Sequence, residues 1–253
     1  MATPDSIWTN WGFWSAIIAF GALVKSEFPP VHSLFKRPKL EFEVHNRITI
    51  THSAGNPNVN IFMSLSNVGN CDIRIRSINL LISPIDRQAF ELPVQTFYPV
   101  LTEDKPVIFS RFKLPANTDR SDLFFFAKPF PRNDEQLYRQ LSSAIKEDIL
   151  AKRAAPGFDQ KNDAEADPQK VADFVEFFKS RFKWDRGEYE LTVTVLTDRD
   201  DMKASKKFRF TLFDSDAHNL RSFADQYKIG LGVFYFDIKQ QPPLSIPITE
   251  EVS

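Results

Sequence analysis

The chain has 253 residues, of which 42% are hydrophobic and 26% are charged, as in a globular protein with enough apolar material for a sizeable core. The formal net charge of -1 and the single cysteine, Cys71, disfavour a globally basic nucleic-acid-binding protein, an intramolecular disulfide framework and a cysteine-based zinc site. Glycine is scarce, with 8 residues, which disfavours a glycine-rich phosphate-binding loop, whereas phenylalanine is abundant, with 25.

The chain opens with an uncharged apolar segment at residues 7–24. As a helix it spans roughly 27 Å at about 1.5 Å per residue, a little short of the hydrocarbon core of a bilayer. Tryptophans cluster at one end of the segment, as is typical of side chains at a membrane–water boundary. We therefore predict a membrane anchor helix over residues 1–27. The side chains expected to contact lipid are Trp8, Trp11, Trp14, Ile17, Ile18, Phe20 and Leu23.

Positive charge follows this segment and does not precede it. The basic residues are Lys25, Lys36, Arg37 and Lys39, the last three within a proline-containing linker predicted at 28–39. The positive-inside rule then predicts a single-pass protein of the cell membrane, with its N-terminus outside and its main domain in the cytoplasm. The basic residues would also contact the surface of an anionic leaflet. A core or interfacial helix and a cleaved signal are the alternatives, although a signal normally begins with positive charge.

Beyond the linker, apolar and polar residues alternate with a period of two, which predicts β-strands. The alternation shifts phase at Arg76 and Ser77, which indicates a β-bulge inside one strand. The predicted strands cover residues 40–53, 59–66, 71–82, 106–114, 123–127, 188–197, 206–213 and 233–239.

Two helices are predicted within a helical insertion at about 132–183. The first carries apolar residues every four positions from Leu137 to Ile149, with Asn133 and Gln136 as a capping box. The second begins with Asp167 as the N-cap and Pro168 in the first turn. We expect a polar loop at 153–166 between them, a short helix at 218–227, and an extended or disordered proline-rich tail at 240–253 after a domain spanning 40–239.

The segment from Asp185 to Leu191 reads DRGEYEL and resembles the D-x-G-x-Y-x-C signature of immunoglobulin domains. Leu191 stands where that signature has a disulfide cysteine. The resemblance implies a mainly β fold, an immunoglobulin-like antiparallel β-sandwich with a two-helix insertion. It also implies that the hydroxyl of Tyr189 bonds to backbone just upstream.

Motifs for nucleophilic, metal or phosphate chemistry are incomplete, and we expect no cofactor. Asp214, Asp216 and His218 alternate along one segment, and such side chains can bind a divalent cation. The alternative is that Asp214 or Asp216 caps the short helix that follows.

Three consecutive phenylalanines at 124–126 cannot all point into one core. Either the helix at 132–152 covers the outer face of this strand, or Phe125 is exposed as a partner contact.

These features favour a membrane-tethered, non-catalytic cytoplasmic interaction module that acts as a scaffold or sensor. Its expected partners are membrane lipid and another membrane or cytoplasmic protein, or a second copy of the chain, and no nucleic acid is expected. An extracytoplasmic ligand-binding domain and a metal-dependent hydrolase with a dispersed site are the alternatives.

Overall fold

The computed structural model describes residues 38–99, 105–159, 162–199, 201–236 and 243–251. The predicted anchor at 1–27 lies outside the described residues, together with Lys25, Lys36, Arg37 and residues 28–37 of the predicted linker. Within the described ranges, every helix is too short or too polar to cross a membrane.

The described residues form a mainly β, antiparallel fold with two helices inserted between its seventh and eighth strands, which confirms these expectations. The strands are β1 Leu40–Ser53, β2 Asn56–Asn67, β3 Ile73–Pro84, β4 Phe90–Tyr98, β5 Val107–Ile108, β6 Phe112–Leu114, β7 Thr118–Ala127, β8 Gly187–Thr197, β9 Lys203–Leu212, β10 Leu244–Pro247 and β11 Thr249–Glu250. The helices are α1 Arg132–Ala154, α2 Pro168–Arg181, α3 Asp214–Ser222 and a 3₁₀ helix at Phe223–Ile229.

The strands form one sheet that folds over on itself, in the order β10-β1-β2-β7-β4-β3-β8-β9-β11. The fold turns at β4, because Phe90 to Pro93 pair with β3, whereas Val94 to Tyr98 pair with β7. At the opposite side, β10 pairs with β1 and β11 pairs with β9, so one short stretch of chain joins the two outer strands. The result is a nearly barrel-like arrangement of a first layer around β1, β2 and β7 and a second layer around β3, β8 and β9.

Alternation along the strands directs one side chain in two into the space between the layers. The central strand β8 contributes Leu191, Val193 and Val195 to this core, all fully buried. The register of β3 against β8 shifts between Ile75 and Ser77, which confirms the bulge predicted from the phase shift. A further shift lies in β1, between Val44 and Ile48.

The layers have two distinct ends. At the near end lie the start of β1 and the β2–β3 turn, so the chain leaves toward its N-terminus here, at Lys39. At the far end, the helices enclose a second, aromatic-rich core around Ile145, Phe174 and Tyr227. The β1–β2 hairpin reaches this core through the two-residue turn of Ala54 and Gly55, both with positive φ, as a tight hairpin requires.

The helix starts differ in how they are capped. The N-cap of α2 is Asp167, whose carboxylate accepts from the backbone N–H of Gln169 at 2.8 Å, as predicted. The prediction of a capping box for α1 is wrong, because the helix begins at Arg132 after Pro131 and has no side-chain cap. Asn133 therefore lies within the first turn.

The C-terminal part also departs from expectation. The predicted strand at 233–239 is wrong for its described residues, because Gly230 and Gly232 adopt positive φ and turn the chain, which leaves one isolated bridge between Leu231 and Tyr235. Val233 is instead buried in the helical core. Residues 244–250, within the predicted tail, form β10 and β11.

Candidate functional site

The outer surface of the first layer carries an apolar patch. Phe124 and Phe126 are fully buried in the core, and Phe125 between them points outward and is half-buried. In register, Phe125 lies between Asn60 of β2 and Thr96 of β4. The buried side chains of α1 belong to the helical core at the far end, and Phe125 belongs to neither core cluster.

Residues paired across neighbouring strands extend this patch over four strands. Phe62, Leu123 and Tyr98 lie side by side on β2, β7 and β4, and all three are half-buried. Ile108 of β5 pairs with Thr96 of β4, and its side chain is 78% exposed. We call the outward-facing group Phe62, Tyr98, Ile108, Leu123 and Phe125 the Phe125 face. Of this group, the sequence pattern identifies only Phe125, although Phe62 stands out among the asparagine and serine residues at the other outward positions of β2.

A cleft of about 480 Å³ opens at the near end, beside the start of β7. Arg120 and Asp122 occupy inward positions on β7, in phase with Phe124, and the Nε of Arg120 donates to the Asp122 carboxylate at 2.6 Å. Asp122 is only 1% exposed, and burial raises the pKa of its carboxyl in spite of the adjacent guanidinium. The guanidinium carbon lies 4.7 Å from the ring centre of Phe97 and 4.3 Å from that of Phe112.

Two of the three proposed cation ligands have other partners. The Asp216 carboxylate accepts from the backbone N–H of Phe213 at 2.9 Å, so it caps α3 from inside the first turn, because the helix begins at Asp214 and not at 218 as predicted. Asp214 pairs with Arg186 at 3.1 Å, and His218 is exposed. Within the described ranges, no three acidic, histidine or cysteine side chains are placed to hold a metal ion. Helical geometry separates these residues, because side chains two apart on a helix do not face each other.

Two further residues that the sequence singles out have identified partners. The hydroxyl of Tyr189, at the start of β8, donates to the carbonyl oxygen of Asp185 at 2.6 Å. Lys39, a member of the predicted basic set that falls within the described residues, pairs with Glu41 at 2.6 Å.

His52 joins β1 to the helical elements as a neutral imidazole. A carbonyl oxygen can only accept, so Nε2 carries the proton that it donates to Leu220 at 2.8 Å. The backbone N–H of Gly55 donates to Nδ1 at 3.3 Å, which therefore carries no proton. The ring also contacts Phe178 and Phe223, and burial lowers the pKa of His52 to about 4.

No protein-family model matches the chain, and no curated protein matches it in sequence.

Proposed function

We propose that the protein is a membrane-tethered, non-catalytic interaction module, with a cytoplasmic immunoglobulin-like domain that associates laterally with a second copy through the Phe125 face. The observation that carries the proposal is this uncharged apolar surface on four adjacent strands. Apolar groups of this kind on a soluble surface commonly mark interaction sites.

The strand order supports the immunoglobulin-like part of the proposal. Immunoglobulin domains pair strands A, B, E and D in one sheet and C, F and G in the other. Here β1-β2-β7-β4 matches the first order and β3-β8-β9 the second. Tyr189 then lies at the start of the F-equivalent strand, where a tyrosine corner is expected, and bonds to the backbone four residues upstream.

The position of the chain exit supports a tether. The chain leaves the domain at Lys39, which lies at the near end, whereas the helices lie at the far end. An anchor at residues 1–27 would hold the near end toward the bilayer and direct the helices away from it. Tethering also concentrates the domains in two dimensions, so that a modest interface can suffice for association.

The Phe125 face suits a second copy better than a charged partner. Its rungs combine apolar side chains with the neutral residues Asn60 and Thr96, so two copies can meet without repulsion between like charges. The face runs along the side of the domain. A two-fold axis parallel to the strands would therefore leave both chain exits on the same side, as insertion into one membrane requires.

Two measurements on the full chain test the proposal. Carbonate extraction of membranes is expected to leave the protein in the pellet, and its release with residues 1–24 intact would contradict the anchor.

Light scattering after size exclusion, in a neutral detergent, is expected to show a dimer that Phe125→Asp converts to a monomer. Thr192→Asp, on the outer surface of the second layer, is the matched control and is expected to stay dimeric. A monomeric wild type would contradict self-association.

A further inference from the structure

We infer that the near-end cleft binds a phosphate group through the guanidinium of Arg120. The cleft adjoins the near-end edge of the Phe125 face, because Pro99 and Ser121 of its lining neighbour Tyr98 and Leu123 along the chain. Binding at Arg120 nevertheless requires no second copy of the chain. Three features of the described residues support it: a fixed guanidinium, unused donors on it, and a second cation at the same opening.

The guanidinium of Arg120 is held in one orientation before any ligand arrives. Its Nε donates to the buried carboxylate of Asp122, and its guanidinium carbon lies over the rings of Phe97 and Phe112. The side chain is 29% exposed, so part of it reaches the cleft that it lines. A fixed side chain loses little conformational entropy on binding, which favours recognition of a small ligand.

The two Nη nitrogens of Arg120 carry four further N–H donors, and within the described ranges only its Nε has a hydrogen-bond partner. Buried and half-buried donors normally find acceptors in a folded protein. A fork of parallel N–H groups matches the oxygens of phosphate or carboxylate. The open edge of Arg120 is therefore suited to an oxyanion.

The rest of the lining favours phosphate over carboxylate. Lys113 lines the same cleft, where it pairs with Asp72 at 2.6 Å. The hydroxyls of Thr118 and Ser121 also line the cleft, but they already donate to the carbonyl oxygen of Pro115 at 2.7 Å and to Oγ of Ser64 at 3.0 Å, so the preference for phosphate depends on Lys113. A carboxylate has two oxygens, which the arginine fork alone can occupy, whereas a phosphate has further oxygens for Lys113. Asp119 and Asp122 also line the cleft and offset the charges of Lys113 and Arg120, so recognition depends on hydrogen bonding at short range and not on a positive field.

The phosphate can belong to a lipid headgroup or to a free small molecule. The cleft opens at the end from which the chain leaves at Lys39, so the proposed tether would bring it close to lipid headgroups. Its volume of about 480 Å³ lies within the range of small-molecule sites.

Titration calorimetry on the full chain in a neutral detergent tests the inference, with inorganic phosphate, acetate and dihexanoyl phosphatidylglycerol as probes and sodium chloride as the ionic-strength control. We expect saturable binding of at least one phosphate probe and weaker binding of acetate. Saturation by phosphatidylglycerol alone would identify a lipid headgroup, and saturation by inorganic phosphate would identify a free anion. Both outcomes support the site.

The variants separate loss of binding from loss of folding. Arg120→Lys keeps the charge beside Asp122 but removes the fork, and is expected to weaken binding about tenfold, or about 1.4 kcal/mol. Arg120→Met combined with Asp122→Leu replaces the buried pair by apolar groups and is expected to fold but not to bind. Arg74→Lys alters a near-end arginine that is 63% exposed and is expected to bind as the wild type does. Absence of binding by every phosphate probe, or unchanged binding in the double variant, would overturn the inference.

Discussion

Acidification is expected to destabilise the domain through His52. The imidazole is neutral in the folded state, and its pKa is lowered from the ordinary 6.5 to about 4, mainly because burial penalises the charged form. Between these values the unfolded chain binds more protons than the folded chain, so stability falls as the pH falls. Linkage predicts a loss of about 2 kcal/mol between about pH 8 and about pH 5, and about 3 kcal/mol by about pH 4.

Urea denaturation of the full chain in a neutral detergent measures this loss. Carboxyl groups also titrate near pH 4, so the informative quantity is the difference between the wild type and His52→Phe. The phenylalanine keeps the contacts with Phe178 and Phe223 but does not titrate. At about pH 8 the variant is expected to be less stable by about 1–3 kcal/mol, because the carbonyl of Leu220 loses its donor.

The two proteins are therefore expected to converge in stability as the pH falls to about 5, since the wild type alone loses the contribution of neutral His52. His45→Gln, at an exposed position on the same strand, is the matched control and is expected to retain the loss seen in the wild type. Equal losses in the wild type and in His52→Phe would refute the assignment of this pH dependence to His52.

Three further substitutions test how the layers and helices are held. Gly55→Ala is expected to destabilise the domain by more than about 1 kcal/mol in urea denaturation, because φ is +90° there and the new Cβ would collide with the carbonyl oxygen of Phe178. Tyr189→Phe removes the donor to Asp185 and is expected to cost about 1 kcal/mol, so unchanged stability would argue against this bond as a support of the fold. Asp167→Ala is expected to cost about 1 kcal/mol by removing the N-cap of α2, and Asp167→Asn, which keeps an acceptor, is its control.

Local patterns predicted most of the strands because their physical cause is local. Burial of alternate side chains produces the period of two, and the phase shift at Arg76 and Ser77 marks a real bulge for the same reason. β4 was missed because its pattern is interrupted twice. Pro93 lies in its middle, and a register shift separates Val94 from Thr96 where the strand passes between the layers.

Burial that depends on contacts between elements distant in sequence leaves a weaker pattern. The segment at 153–166 is polar, which predicts a simple loop, yet Ala164 and Ala166 are buried in the helical core. Small alanine side chains give a weak signal of burial, which only packing against other elements reveals. The Arg120–Asp122 pair was missed for a related reason, because two charged residues at alternate positions usually indicate a solvated face.

The Phe125 face is predictable from the sequence only in part. Three consecutive phenylalanines violate alternation and so identify one outward aromatic residue without a structure. The neighbours Phe62, Tyr98 and Ile108 come from three other strands, and only the pairing register brings them to the same surface. The sequence therefore indicates a single contact, whereas the fold defines a surface.

Cysteine cross-linking in native membranes tests whether the domains pair laterally through the Phe125 face. In a Cys71→Ser background, a single cysteine at Asn60→Cys lies beside Phe125, and a single cysteine at Thr192→Cys lies on the outer surface of the second layer. With a membrane-permeant bismaleimide, we expect a cross-linked dimer for Asn60→Cys and none for Thr192→Cys. No dimer at position 60, or equal dimer at both positions, would contradict this pairing.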